Sequence, residues 1–336
     1  CTSPFALIGL KEGAHLFRVF AVDAAGNRDP SPAMHEWLVD RTPPTPGQVV
    51  SPSAGDSGYL RSTTALSIAW AGFSDEPGGI QSFDVHVNAQ SDCAGERQGA
   101  AEAGLAHSFE ATGLSLLDGR TYFACVRASD RAGNAGAWNS SRGLTVDVSE
   151  PTSAIVQPVA GSKLSALATI GGTAADAISG VAGVGLTIRR ETDGLYWDGA
   201  IWRNEPAWNK TSGGSAFTYS GIPPWESGVR YVIRSRAVDA AGNIESRDTI
   251  SLFTFDSTPP TFGGATSAGS LANAVRVTWS PATDAVSARL AIRYVLCRTT
   301  TAGGCNPFSA TAVTPPGATQ FDFTGLKANT TYTFIV

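Results

Sequence analysis

The strongest candidate for a binding site is a cluster of aromatic residues in the segment GLYWDGAIWRNEPAWNKT. Exposed aromatic faces stack on sugar rings or on the side chains of a protein partner. The alternative is that Asp198-Gly199 turns WDGAIW into a hairpin, which lays its tryptophans over the core of their own domain, and this alternative is favoured. The aromatic residues are Tyr196, Trp197, Trp202 and Trp208, and the polar neighbours that could add hydrogen bonds are Asp198, Arg203, Asn204 and Asn209.

The other motifs that suggest chemistry favour turns over catalysis. The four histidines, at positions 15, 35, 86 and 107, have no partner at a fixed short spacing. Gly55-Asp56-Ser57-Gly58 resembles the nucleophile turn of serine proteases, but it lies in a Pro/Gly/Ser-rich stretch. Phe255-Asp256-Ser257-Thr258 resembles an aspartic-protease triplet without its glycine, and its position indicates a linker. We therefore expect no enzymatic activity within these residues.

Oxygen-rich turns raise the question of a calcium site. One set is Asp23, Asn27 and Asp40, and an equivalent set is Asp239, Asn243 and Asp256. Each could offer two or three oxygens, whereas calcium takes six to eight. Hydrogen bonding inside the turns explains the same residues equally well, so no cofactor is predicted and calcium remains an open alternative.

The five cysteines predict disulfides and no zinc. None forms a Cys-x-x-Cys pair or has a histidine nearby. Cys297 and Cys305 flank RTTTAGG, whose glycines let the chain double back, so we expect a local disulfide there. Paired cysteines indicate an oxidising, extracytoplasmic compartment. The fifth cysteine, Cys1, is left over.

Composition narrows the class of protein. Charged residues make up 16% of the 336, while glycine and proline total 56, which favours turn-rich β structure. The net charge is −5 and no Lys/Arg cluster occurs, which argues against a nucleic-acid or anionic-membrane partner. No uncharged apolar run reaches the roughly 20 residues of a membrane helix. Three sequons, at Asn139, Asn209 and Asn329, mark polar loops that we expect to be exposed.

Internal repeats set the architecture. Gly-Leu or Gly-Ile openings recur at Gly9, Gly113, Gly221 and Gly325, at intervals of 104, 108 and 104 residues. The first three lead through an alternating strand to an Asp-x-Ala-Gly-Asn turn and then to a closing segment such as LVDRTPPT or TFDSTPPT. In that strand, both at His15–Val22 and at Tyr231–Val238, one face should be buried. A period of about 105 residues is the size of one β-sandwich.

The modules resemble two known families. Trp70 and Trp279 on a second strand, with Tyr122 and Tyr332 near the start of a sixth, resemble fibronectin type III domains. VFAVDAAGN, RAVDAAGN and the closing VDxTPP resemble bacterial Ig-like domains of large secreted and surface proteins. In a fibronectin-like sheet the strands of Cys93 and Cys125 are neighbours, so the resemblance implies a disulfide between them, the alternative being two buried free thiols.

We therefore predict an all-β array of Ig-like and fibronectin type III sandwiches joined by short Pro-rich linkers, cut from a longer protein. Its parts are half of an Ig-like module at 1–43, a fibronectin-like module at 44–148, an Ig-like module with the Trp-rich hairpin at 149–258 and a truncated fibronectin-like module at 259–336. The resemblance implies a non-catalytic extracellular stalk or adhesion region but does not supply a ligand. The partners considered for such a region are surface glycans or proteins. The alternative is an accessory carbohydrate-binding region of a secreted enzyme.

Overall fold

A computed structural model describes residue 4 and residues 6–301, 303–305 and 310–336. Cys1 lies outside the described residues. Strands dominate, and the described helices are two short 3-10 turns, Pro52–Ala54 and Arg289–Ala291. The chain divides into two compact units. The first comprises residues 1–153, 174–184 and 236–247, and the second comprises 154–173, 185–235 and 248–336. The predicted module boundaries remain a prediction.

The first unit contains a two-sheet sandwich and a separate hairpin. One sheet has the order β4-β11-β9-β6-β7, with β10 on β9; the other has the order β3-β5-β8; and β1 pairs with β2. The strands are β1 (Gly13–Val19), β2 (Ala33–Val39), β3 (Gln48–Val50), β4 (Tyr59–Leu60), β5 (Ala65–Ala71), β6 (Ile80–Asn88), β7 (Gln98–Glu102), β8 (Ser108–Thr112), β9 (Thr121–Asp130), β10 (Asn139–Ser140) and β11 (Leu144–Val146).

Alternation of apolar and polar residues builds the core of this sandwich. In β5 every second residue is buried, so that Leu66, Ile68 and Trp70 face inwards. They pack with Phe83 of β6 and Val126 of β9, which belong to the other sheet. Both sheets thus share one core, as in an aligned sandwich.

The remaining strands form two further pairs of sheets. One pair has the orders β12-β14-β20-β19 and β13-β22-β21-β15-β16-β17, with β18 on β15; the other has β23-β24-β27 and β26-β25-β28. The strands are β12 (Thr152–Gln157), β13 (Lys163–Leu164), β14 (Ile170–Ala175), β15 (Val181–Arg190), β16 (Tyr196–Trp197), β17 (Trp202–Arg203), β18 (Asn209–Lys210), β19 (Ser212–Gly213), β20 (Ala216–Tyr219), β21 (Arg230–Asp239), β22 (Thr249–Phe255), β23 (Ala265–Ser270), β24 (Ala274–Trp279), β25 (Val295–Thr299), β26 (Ala312–Val313), β27 (Gln320–Thr324) and β28 (Thr333–Ile335).

Each of these pairs encloses its own apolar core in the second unit. Ile170 of β14 packs with Ile188 and Tyr231 of the facing sheet. Trp279 of β24 packs with Leu296 of β25 in the other pair. The structure is therefore all-β with sandwich cores in series along the chain, as predicted.

A recurring tyrosine fixes one corner of each sandwich. The hydroxyl of Tyr122 accepts a hydrogen bond from the backbone N–H of Leu117 (3.1 Å). The hydroxyl of Tyr231 does the same with Glu226 (2.9 Å), and that of Tyr332 with Lys327 (3.0 Å). The same five-residue reach in all three cases is the tyrosine corner of immunoglobulin-like sandwiches.

The predicted buried face is present in one of the two quoted strands and absent in the other. In β21, Tyr231, Ile233 and Ser235 are buried while Arg234 is exposed. In β1 the prediction is wrong, because Leu16 and Val19 are 43% and 49% exposed. The physical reason is that β1 pairs only with β2, and no sheet of the described residues covers their face.

The Asp-x-Ala-Gly-Asn segments form the turns that their residue types predict. Asp130 Oδ1 accepts hydrogen bonds from the backbone N–H groups of Ala132 and Asn134, both at 2.8 Å, and Oδ2 accepts one from the Asn134 side chain at 2.7 Å. Gly133 has a φ of 92°, which a side chain would disfavour. Asp23 and Asp239 likewise accept hydrogen bonds from the backbone and the side chain of Asn27 and Asn243.

A membrane-spanning helix was sought in the described residues, and no helix there combines the necessary length and apolar character.

Candidate functional site

The aromatic segment folds into a short hairpin. β16 and β17 pair so that Trp197 lies opposite Trp202. Asp198 closes the turn, because its Oδ1 accepts hydrogen bonds from the backbone N–H groups of Ala200 (2.9 Å) and Ile201 (2.8 Å), while its Oδ2 accepts one from Arg203. These bonds hold the pKa of Asp198 near 2, below its ordinary value.

The two hairpin tryptophans pack on their own core. Trp197 is 6% exposed, and its indole N–H donates to the carbonyl of Gly221 at 2.6 Å. Trp202 is half-buried between Tyr231, whose ring is stacked at 6.1 Å, and the Arg190 guanidinium at 4.6 Å from the indole centroid. Most of their aromatic surface is therefore unavailable to a ligand.

The other residues of the segment differ in exposure. Trp208 is 42% exposed, and Tyr196 is half-buried with Arg189 over its ring at 6.0 Å. Asn209 is buried, donates to the carbonyl of Trp197 at 2.8 Å and accepts from the Tyr219 hydroxyl at 3.0 Å. The expectation that its sequon is exposed is therefore wrong, because the amide ties the hairpin to β20. Trp208 is the residue of the aromatic set that presents most surface.

A second candidate site is a group of three aspartates. Asp40 follows β2, Asp75 lies between β5 and β6, and Asp130 ends β9. Each contributes one carboxylate oxygen to a set whose members lie within 4.8 Å of one another. Gly78 lies directly over this group, because a Cβ there would stand 1.9 Å from Asp40 Oδ2. Two chain loops and a strand end thus converge on one acidic cluster, which we call the first aspartate cluster.

The same arrangement recurs one repeat later as a second aspartate cluster. It comprises Asp147 after β11, Asp176 after β14 and Asp239 at the end of β21, again with oxygens within 4.8 Å. The corresponding residues are 107, 101 and 109 positions apart in sequence. The sequence-based grouping was wrong in one respect, since Asp40 joins Asp130 of the following repeat's turn, and Asp239 joins Asp147.

Electrostatics in the first aspartate cluster reflect crowding of like charges. Burial raises the pKa of Asp75, and the neighbouring charges of Asp40 and Asp130 raise it further. Burial also pushes the pKa of Asp130 upwards, but the hydrogen bonds within its turn outweigh burial and hold that pKa below its ordinary value. Asp130 is thus kept ionised by its turn.

Around Ser287, two carboxylates come together at sequence positions equivalent to two of those in the aspartate clusters. Ser287 donates its backbone N–H to Asp284 Oδ1 and its hydroxyl to Asp256 Oδ2, the latter at 3.1 Å. Asp256 and Asp284 occupy the repeat positions of Asp147 and Asp176. The described residues supply no third carboxylate there.

Both disulfides expected from the sequence are formed. Cys93 is joined to Cys125 with their Cα atoms 6.0 Å apart, and Cys297 to Cys305 with theirs 5.8 Å apart. His86 lies beside the first pair. These three residues do not make a metal site while the disulfide is intact, because a metal needs the thiolates. Such bonds are typical of extracytoplasmic proteins.

His86 is a buried imidazole without a hydrogen-bond partner on either ring nitrogen. Its ring meets Trp138 edge-on at 4.3 Å. Burial, together with the smaller effect of the Arg97 charge, lowers the pKa of His86 to about 4. The folded protein therefore holds His86 neutral.

We expect the low pKa of His86 to make the folded protein less stable in acid. Between pH 6.5 and about 4 the unfolded chain binds a proton on His86 that the folded chain does not, so stability decreases as pH falls through this window and is unaffected above it. At 1.36 kcal/mol per pKa unit, the loss reaches at most about 3 kcal/mol. Melting temperatures at pH 7.0, 5.5 and 4.5 should diverge less in His86→Phe than in the wild type. His107→Phe, at an exposed position, should keep the wild-type slope, and an equal effect of both variants would contradict the assignment.

The protease-like motifs are structural turns. The Arg142 guanidinium donates to the carbonyls of Gly55 and Asp56, and the Ser57 hydroxyl donates to that of Ala54 at 3.0 Å. Thr258 and Ser227 share a hydrogen bond at 2.6 Å between their hydroxyls. These hydrogen bonds give the residues of both motifs a structural role in their turns.

The geometry defines a class, a tandem array of all-β sandwiches. No family model and no curated protein matches the chain. Solved structures similar to it include the FN1-FN3 domains of chicken CNTN1 (13% identity over 87% of this chain and 92% of that one, TM-score 0.30). A second is a tetra-tandem repeat in the extending region of a large adhesion protein (18% identity over 95% of this chain and 75% of that one, TM-score 0.28). A third is the fibronectin(III)-like modules of Clostridium thermocellum CbhA (14% identity over 62% of this chain and 94% of that one, TM-score 0.34).

Proposed function

We propose that this chain is a non-catalytic extracellular region that spaces or presents other domains and makes weak multivalent contacts. The observation that carries the proposal is the inward packing of the residues best suited to bind a ligand. Trp197 and Trp202 lie on their own core, and Asn209 is buried beneath the hairpin. Because these side chains serve the fold, we infer that the sandwiches contribute mechanically.

The disulfides agree with a location outside the cytoplasm. Cys93 and Cys125 join β9 to the loop that follows β6, and Cys297 and Cys305 close a short loop after β25. Bonds of this kind persist in oxidising compartments and constrain the unfolded chain. A spacer exposed to proteases benefits from that constraint.

The alternative function is an accessory carbohydrate-binding region. It is favoured by the surface of Trp208, which is 42% exposed, and by that of Ile201 in the preceding hairpin, which is 53% exposed. An aromatic face of this kind can stack on a sugar ring. The two functions differ in what they predict for Trp208, because only the carbohydrate-binding region retains a glycan through that side chain.

A glycan screen of the full chain tests the proposal. The wild type, Trp208→Ala and the matched control Phe17→Ala, which removes an aromatic ring that is 41% exposed elsewhere, are compared on the same polysaccharide panel. Absence of retained glycan supports the spacer function. Binding that Trp208→Ala abolishes and Phe17→Ala preserves, with folding verified by circular dichroism, overturns it in favour of carbohydrate recognition.

A further inference from the structure

The first aspartate cluster brings together two buried carboxylates, Asp40 and Asp130, and the half-buried Asp75. Asp40 is 8% exposed and Asp130 is fully buried. Within the described part of the chain, none of the six carboxylates in the two clusters forms an ion pair with a basic side chain. Charged groups taken out of water are normally paired with an opposite charge or bound to a metal ion. A cation from solution would balance the charge that these carboxylates carry.

Two oxygens of the first aspartate cluster accept no hydrogen bond from any of the described residues. Asp40 Oδ1 accepts from the backbone N–H of Thr42 at 3.0 Å, whereas Asp40 Oδ2 is buried and unpartnered. Asp75 Oδ2 is buried and unpartnered as well. A buried acceptor that receives no hydrogen bond destabilises the fold. The fold therefore holds two carboxylate oxygens without hydrogen bonds close to a third carboxylate, that of Asp130.

The spacing suits calcium. Calcium binds oxygens at about 2.3–2.6 Å, so two ligands of one ion stand at most about 5 Å apart. The cluster oxygens all lie within 4.8 Å of one another. Each carboxylate oxygen has two lone pairs, so Asp130 Oδ2, which accepts one turn hydrogen bond, can still bind a metal, whereas Oδ1 already accepts two. Water can complete the coordination, as it does in many calcium sites.

We propose that the first aspartate cluster, Asp40, Asp75 and Asp130, binds a calcium ion, and that the second, Asp147, Asp176 and Asp239, binds another. The second follows from the same three repeat positions and from Asp176 Oδ2, which is also buried and unpartnered. Arg61 approaches there but donates to the Asn243 amide oxygen at 3.2 Å and not to a carboxylate. This goes beyond the proposed function, because it assigns ligand sites next to the predicted module boundaries.

Calcium stoichiometry of the full chain tests the proposal directly. Protein stripped with a chelator is dialysed against calcium chloride at constant ionic strength, and bound calcium is measured by titration calorimetry and by metal analysis. We expect two ions per wild-type chain, with affinities of about 10⁻⁴–10⁻³ M, as in extracellular modules. No saturable binding at millimolar calcium would overturn the proposal without any variant.

Variants then locate the ions. Asp75→Asn and Asp176→Asn should each lower the stoichiometry from two to one, and both together should abolish binding. Asp130 and Asp239 are left unchanged because they hold their turns, and asparagine keeps an Oδ1 acceptor for the backbone N–H groups of Ile178 and Gly180 that bind Asp176. Asp284→Asn is the matched control at the place with two carboxylates and should leave two ions bound. If Asp75→Asn loses one ion and Asp176→Asn loses none, the second site is overturned and the first stands. If the control Asp284→Asn also loses one ion, both sites are overturned.

Calcium should also raise the melting temperature of the wild type by several degrees, because it binds the folded state alone. The double variant should lose this rise and retain the wild-type melting temperature in chelator. A rise of the same size in the double variant would show that calcium acts elsewhere and would contradict the assignment.

Discussion

Replacing Trp197 with alanine is expected to lower the free energy of unfolding of its sandwich by about 3–5 kcal/mol, the usual cost of removing a large buried aromatic side chain. The indole is 6% exposed and packs within the core shared by β14, β15 and β21. Its loss also removes the N–H donated to Gly221, and leaves that carbonyl without this partner. Because the chain has several cores, a local measurement is needed.

Hydrogen exchange provides that local measurement. Amides of β15 and β21 should lose protection in Trp197→Ala, whereas those of β5 and β9, which belong to another core, should not. Trp208→Ala is the matched control, since its ring is 42% exposed, and it should cost less than about 1 kcal/mol. Equal losses in the two variants would refute the packing assigned to Trp197.

The turns could be predicted from the sequence because their chemistry is local. An aspartate that accepts hydrogen bonds from residues two and four positions later, followed by a glycine with positive φ, needs no information from the rest of the chain. The Asp130 turn shows both features. The hairpin of Trp197 and Trp202 was predictable for the same reason, since Asp198-Gly199 specifies it.

The aspartate clusters could be predicted only in part. Asp40 and Asp130 stand out because each recurs in a repeated motif, but Asp75 and Asp176 lie in loops whose sequences, SDEPGG and ADAISG, share little beyond the aspartate. The packing of the sheets decides which loop meets the end of which strand. That packing depends on residues far apart in the sequence. The signal that could have found them is the recurrence of an acidic residue before glycine in both loops.

Asn209 illustrates a different limit. Its Asn-Lys-Thr pattern is typical of an exposed loop, yet the amide is buried and bonds both Trp197 and Tyr219. A single polar residue carries no sequence mark that distinguishes a buried hydrogen-bonding role from a solvated one. The exposed face of β1 was missed for the converse reason, because alternation indicates an apolar face but does not supply the sheet that covers it.

The second large effect is expected at the disulfide between Cys93 and Cys125. Both half-cystines are buried, and they close a loop between positions 32 residues apart in sequence. Loop-closure entropy for this length corresponds to about 4 kcal/mol, against about 2.5 kcal/mol for the eight-residue separation of Cys297 and Cys305. The paired variant Cys93→Ala/Cys125→Ala should therefore destabilise its sandwich more than Cys297→Ala/Cys305→Ala destabilises the other.

Hydrogen exchange on the full chain separates the two effects. In Cys93→Ala/Cys125→Ala the amides of β6 and β9 should lose protection by up to about three orders of magnitude, at 1.4 kcal/mol per factor of ten, while those of β24 and β27 serve as the internal reference. In Cys297→Ala/Cys305→Ala the loss should move to β25 and be smaller. Unchanged protection of β9 would mean that its packing against β6, with Val85 opposite Val126, holds the sheet without the covalent bond.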